Sequence, residues 1–290
     1  MSQESNRYRR GRWMAAALAC AGIAKREVSA SEGYGASATR LDLSRGHLVS
    51  DYDHIFFSCL SALVAFAAFL GFAQTFYLSS FLRLPAWKAF AAPPHPLAVE
   101  VHGVLMTSWV LLVVAQTSLV AAGRTDLHRR LGRLGGFLAF CVVVGGTAVV
   151  SQSLARRMPP GAAGLGAQAD QVLRILAFGA LVYFAYRRRR DPPAHKRLMM
   201  IATVALLPAA VVRWPIMTSH DFPLALGVCY ALLMLIVGYD LLTARKIYPA
   251  TLWGSAIMIV AYPPFDVVFT RNPAWFAVAR SMQSVGALLR

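Results

Sequence analysis

The chain has 290 residues, of which 57% are hydrophobic and only 14% charged, and its mean hydropathy is +0.52. A soluble domain is about a quarter charged, so these figures exclude an ordinary soluble globule, a disordered chain and a collagen-like or disulfide-stapled scaffold. The charge is lopsided, with 29 Lys and Arg against 13 Asp and Glu and a net +16; in so apolar a chain this marks loops held against an anionic lipid surface, not a nucleic-acid site.

Residues 1–54 stand apart. Arg7, Arg9, Arg10 and Arg12 precede an apolar stretch over 13–24, and a polar, Gly- and Ser-containing stretch follows over 25–52, in the manner of a short signal peptide. Cleavage would leave the new N-terminus outside, against the orientation derived below. The apolar stretch before Cys20 is too short for a lipoprotein signal. The expectation is an uncleaved, weakly ordered basic extension. Cys59, Cys141 and Cys229 fall in apolar runs and read as small core residues.

Seven apolar runs follow, at 55–78, 98–122, 134–154, 172–186, 198–212, 223–239 and 251–269. A helix needs about 20 apolar residues to cross the hydrocarbon core, so the fourth and fifth runs suffice only with their polar flanks drawn in. The fold class expected is all-α, a polytopic transmembrane helical bundle of about seven spans over 55–270, with 271–290 as an extracytoplasmic tail. The links after the second, fourth and sixth runs carry Arg124, Arg129, Arg130, Arg133, Arg187 to Arg190, Lys196, Arg197, Arg245 and Lys246. The alternate links carry Arg83, Lys88, Arg156, Arg157 and Arg213. The excess of Lys and Arg lies on the cytoplasmic side of a membrane protein, which places the start of the first span inside, in a bacterial inner membrane.

A short repeat opens the third and fifth spans: Asp126-Leu127-His128-Arg129-Arg130-Leu131, and Asp191 followed by His195-Lys196-Arg197-Leu198-Met199. Each supplies an Asp suited to an N-cap, and Pro192 stands at N1, where a missing N–H costs nothing. The two hairpins therefore enter the membrane from the same side. Pro208, and Pro263 with Pro264, interrupt the fifth and seventh spans and predict kinks. Gly132 and Gly136, with Gly145-Gly146 deeper in the third span, predict a close-packed face that suits a homo- or hetero-oligomer.

Ionisable residues at membrane depth are the default functional candidates, because the bilayer makes each one costly. An outer layer holds Glu100, His102, Arg174, Arg213, His220, Asp221 and Asp266. An inner layer holds His128, His195 and Asp240, and an uncharged belt with Thr107, Trp109 and Gln116 separates the two. His102 is either a ligand or a proton-handling group on one side, or an interhelical hydrogen-bonding group on the other. His128 and His195, at helix starts where the dipole favours the neutral ring, are either a ligand pair or an anchor for anionic headgroups. Arg174 is a candidate ion-pair partner of Glu100 or Asp266. The inner links are too short for a soluble catalytic domain, and no nucleotide-binding loop, HExxH, CxxC or nucleophile elbow is present.

Gly71-Phe72-Ala73-Gln74-Thr75-Phe76-Tyr77-Leu78, His102-Gly103 with Trp109 and Gln116, the segment from Gly123 to Gly132, His195 to Met199 and Arg213-Trp214-Pro215 resemble a family of uncharacterised bacterial multi-pass membrane proteins over about residues 55–270. The resemblance implies the architecture and no activity. The His-Arg-Arg-Leu-Gly and His-Lys-Arg-Leu-Met segments are also similar, more loosely, to membrane proteins of haem–copper oxidase assembly and to transmembrane b-type cytochromes. That likeness implies haem b, with His102 and His220 in an outer site and His128 and His195 in an inner one. The alternatives are a small-molecule or lipid transporter working through Arg174, Arg213 and Asp266, and a structural membrane subunit.

Overall fold

The computed structural model describes residues 36–81, 96–156, 168–217, 222–261 and 272–289, with 36–51 as backbone. Among these residues the chain is entirely helical. The elements are α1 (Ala36–Phe72), continued by a π-helical turn (Ala73–Tyr77), then α2 (Leu97–Ala121), α3 (Thr125–Arg156), α4 (Ala169–Arg187), α5 (Pro192–Ala205), the single turn α6 (Pro208–Val211), α7 (Phe222–Ala244), α8 (Pro249–Ala261) and α9 (Pro273–Leu288). The chain divides after Phe56. The first unit is represented by the opening turns of α1, and the helical bundle is Phe57–Arg290.

Six helical stretches are long and apolar enough to cross a membrane: Tyr52–Tyr77, α2, α3, α4, the α5–α6 stretch Pro192–Val211, and α7. The described part of the seventh, α8, is shorter. Only the Pro192–Val211 window is mostly enclosed, at 72% buried against 17% for α2. Leu63, Phe66, Val104, Leu111, Leu134, Phe137, Phe140, Val144 and Leu176 are exposed on the outer faces. So much apolar surface around a closed core suits lipid and would aggregate in water. The protein is an integral, multi-pass helical membrane protein.

Local chemistry sets the helix ends. α2 closes in a Schellman motif, with Gly123 at φ +74° and bonds from Gly123 N–H to Val120 C=O and from Arg124 N–H to Leu119 C=O; glycine reaches this left-handed conformation without a Cβ clash. Asp191 caps α5 by accepting from Ala194 N–H at 3.3 Å, with Pro192 following. Pro208 cannot donate to the fifth span's ladder, and its ring crowds the preceding turn. The chain therefore tightens to i→i−3 bonds, Leu206 N–H to Thr203 C=O and Leu207 N–H to Val204 C=O, and the span breaks there as its proline predicts.

Two boundaries differ from the sequence reading. α1 begins at Ala36, inside the stretch expected to be weakly ordered. The expected C-terminal tail holds α9, started by Asn272 accepting from Ala274 N–H at 2.9 Å and by Pro273. Trp275 and Ala279 pack on Val150, Leu154 and Ala169, the Gly286 backbone lies against the Ser151 backbone, and Gln152 donates to Leu289 C=O at 2.7 Å. The spacing of Trp275, Ala279, Met282 and Gly286 puts them on one helix face. A search for runs long enough to span a bilayer passes over a 16-residue helix. Within the chain Gly136 faces open space, and the α3 glycines that carry close packing are Gly135, Gly145 and Gly146.

Candidate functional site

The break after α5 and the π-helical turn after α1 border a cavity of about 600 Å³. α1, α2, α3, α4 and α5–α6 all contribute to its wall. The turn at Ala73–Tyr77 presents Phe76 and Tyr77; Phe76 lies where a side chain on Gly103 would stand, and Tyr77 Oη shares a 2.7 Å hydrogen bond with Thr107 Oγ1. Across the cavity, Trp109 meets Phe178 edge to face with ring centroids 5.0 Å apart.

Three of the outer-layer candidates line this cavity: His102, Arg174 and Arg213. His102 rests on the glycine pair of α3, its Nδ1 at 3.4 Å from where a Cβ of Gly145 would lie and its Cε1 at 3.3 Å from that of Gly146. Glycine at both positions is what lets an imidazole sit between α2 and α3. Arg174 is buried and bonds Asp170 on its own helix, Nη2 to Oδ2 at 2.5 Å. This described partner is a local one, an i, i+4 carboxylate within reach without any helix rearrangement. Glu100 is exposed and does not line the cavity. Arg213 donates to Ala209 C=O and lies over the Phe72 ring at 5.3 Å. His220, Asp221 and Asp266 lie outside the described residues.

The wall's polar atoms are unevenly served. His102 Nδ1, Trp109 Nε1 and Arg174 Nη1 are buried and have no hydrogen-bond partner among the described residues. Unsatisfied buried polar atoms are rare in folded proteins and call for an explanation. Here three of them belong to residues lining one cavity.

The inner-layer histidines also meet. The rings of His128 and His195 stand 6.3 Å apart between centroids at 86° to one another, so the repeat seen in the sequence brings its two histidines together. His195 Nδ1 is 2.8 Å from Ala185 C=O; a carbonyl only accepts, so this nitrogen carries the proton and Nε2 is left as an acceptor. Gln116, oriented so that its oxygen accepts from Gly132 N–H at 2.9 Å, brings its amide nitrogen to 2.6 Å from His128 Nδ1. That nitrogen donates, so the His128 proton sits on Nε2. The pair has opposite tautomers. His195 presents the bare Nε2 that a metal needs and has the carbonyl partner typical of ligating histidines. His128 would have to shift its proton and lose the Gln116 bond to ligate. Neither histidine lines the cavity.

Asp240 has a different role from the one its depth suggested. It is fully buried and receives Arg197 through Nε at 2.8 Å and Nη2 at 2.6 Å, Thr251 Oγ1 at 2.6 Å and Tyr248 N–H at 3.2 Å. Arg197 also donates to Pro193 C=O at 2.8 Å and stacks on Tyr248, 3.8 Å from the ring centroid. Every Arg197 nitrogen and both Asp240 oxygens are hydrogen-bonded, which makes this a structural lock joining α5, α7 and α8. The charge count had assigned Arg197 to the cytoplasmic link; the other basic residues of that set are exposed, except for the half-buried Lys196. The signal available in the sequence was Asp240 itself, a carboxylate at membrane depth that needs a cation.

No family model, curated protein or solved structure matches the chain.

Proposed function

We propose that this chain binds, and carries across part of the bilayer, a small amphipathic molecule lodged in the cavity beside the Pro208 break. The supporting observation is the coincidence of three unpartnered buried nitrogens, on His102, Trp109 and Arg174, with residues that line one largely apolar cavity of about 600 Å³. Ligand sites are concave, mostly apolar, a few hundred cubic ångströms in size, and fixed by a few polar groups. A helix broken at membrane depth is tolerated where it borders such a space. The setting is a bacterial cytoplasmic membrane, with the start of the first span inside.

The test is thermal unfolding of the purified, detergent-solubilised protein against a panel of lipophilic small molecules. A ligand of the native state raises the midpoint in proportion to its occupancy. Val149→Phe, which puts a ring into the cavity wall, is expected to abolish that rise. A rise that survives Val149→Phe, or none across the panel, would sink the reading.

Haem association is the second reading, favoured by one observation, the approach of His128 and His195 to 6.3 Å. Haem would supply one-electron chemistry; His195 would ligate directly, and His128 only after leaving Gln116. A redox-sensitive Soret band in protein from haem-replete cells, lost in His195→Ala, supports this reading, and colourless protein refutes it.

A further inference from the structure

We infer that the molecule taken into the cavity is a carbonyl compound with an apolar body, its oxygen accepting hydrogen bonds from Arg174 Nη1 and Trp109 Nε1; the inference rests on the cavity being a ligand site. Both nitrogens are buried without a hydrogen-bond partner, and both residues line the cavity. A guanidinium and an indole donate and accept nothing. The demand is therefore made atom by atom, and an acceptor meets it. A buried donor left unserved costs its desolvation, and a hydrogen bond made to it recovers that cost.

The two donors border one stretch of wall. On Arg174, Asp170 holds Nη2 at 2.5 Å and the Phe222 ring stands 5.7 Å from the guanidinium carbon, which fixes the fork and leaves Nη1 to the cavity side. Phe178 lies one turn further along α4, an i, i+4 neighbour of Arg174, and Trp109 meets its ring edge to face. Trp109 is 1% exposed and Arg174 8%, so water at the surface does not serve either nitrogen. His102 reaches the same stretch: its Cε1 and Ile175 Cδ1 stand 3.3 and 3.1 Å from where a Cβ of Gly146 would lie. Its Nδ1 donates or accepts according to tautomer, so it serves a ligand of either kind and does not select.

Other heads serve these atoms less well. A hydrocarbon leaves both nitrogens unpaired, and so does an ammonium, which offers donors alone. A hydroxyl accepts but must also place its own proton; a carbonyl oxygen has two lone pairs and no proton to place. Ordered water is the competitor for the same nitrogens, and a ligand gains by displacing it only where it reproduces the bonds that water made. Phe72, Phe178 and Phe222 line the same space and suit the apolar body.

Equilibrium binding of methyl nonyl ketone, and of the isostere in which a terminal methylene replaces its oxygen, to the full-length, detergent-purified protein tests this. The two probes share one shape and differ in a single acceptor. Ketone binding should weaken about tenfold in Arg174→Met, which loses a charged donor, and about fivefold in Trp109→Phe, which loses a neutral one. The isostere should bind both variants as it binds the parent protein, which shows the cavity intact. In protein with ¹⁵N-labelled tryptophan, the Trp109 indole N–H signal, assigned by its absence from Trp109→Phe, should move downfield with the ketone and stay in place with the isostere. That shift is read on the parent protein, so it decides the matter even where Arg174→Met fails to fold. Ketone binding unchanged in either folded variant overturns the inference and leaves the ligand site standing, as does an indole signal indifferent to bound ketone. Binding of neither probe overturns the inference, and the wider panel of lipophilic molecules then decides the reading beneath it.

Discussion

Arg197 and Asp240 form a buried ion pair at 2.6 Å, 2% and 0% exposed, in which every Arg197 nitrogen and both Asp240 oxygens are hydrogen-bonded. Such a pair repays its desolvation only through geometry and added hydrogen bonds. Its worth lies in register: it fixes α5 against α7, and through Thr251 and Tyr248 against α8.

Asp240→Asn should therefore destabilise the bundle by about 3–5 kcal/mol, because the Arg197 charge stays buried without a counter-ion. Asp240→Leu combined with Arg197→Met removes both charges and should recover most of that loss. Denaturant unfolding in mixed micelles reads both variants. Equal losses in the single and double variants would show that the pair is not the source.

Much of this fold was legible because the bilayer imposes simple rules. Run length located the spans, Pro208 located the break in the fifth, and the Asp-Pro start of α5 appears as its cap. The parts that were not legible depend on tertiary proximity. Arg197 and Asp240 are 43 residues apart, and nothing in the local pattern separates Arg197 from the exposed arginines beside it. Asp170 carries no depth signal, because it stands just before an apolar run, although its i, i+4 spacing to Arg174 is a readable helical pair. The His128–His195 approach was half legible: the repeat implied equal depth, and packing of α3 against α4 with α4 against α5 supplied the contact. His102, alone in its segment, gave no hint of its seat on Gly145 and Gly146.

α9 depends on one contact that tolerates no side chain. A Cβ on Gly286 would collide with the backbone of Ser151 and with Gln152 N, and backbone cannot turn aside as a flexible side chain can. Gly286→Ala should lift the end of α9 from α3, costing about 1–3 kcal/mol, and break the Gln152 bond to Leu289. Increased proteolysis near residue 289 in otherwise folded protein reads this; parent-like resistance with unchanged thermal stability would contradict it.

The histidine pair makes a spectroscopic prediction. In protein with ¹⁵N-labelled histidine, His195 should show its proton on Nδ1 and His128 on Nε2, as their partners Ala185 C=O and the Gln116 amide require. Gln116→Glu replaces the donor by an acceptor and should move the His128 proton to Nδ1, leaving His195 unchanged. Histidine ¹⁵N shifts distinguish the two forms, and a His128 signal indifferent to Gln116→Glu would show that the amide does not set the tautomer.

Orientation can be measured at the exposed arginines. Arg187, Arg188, Arg189 and Arg190 end α4 in open surroundings, and Arg189 lies on the Tyr186 ring at 4.6 Å, so the segment is accessible without unfolding. In the proposed orientation, which rests on the excess of basic residues, this face is the cytoplasmic one. A cysteine at Arg189, in a background lacking Cys20, Cys59, Cys141 and Cys229, should react with a membrane-impermeant maleimide only in inverted vesicles. One at Asn272, beyond an odd number of further spans if α8 crosses the bilayer, should react in intact cells. Labelling of both positions from the same side would exclude α8 as a crossing helix, and reversal of both would overturn the orientation drawn from charge.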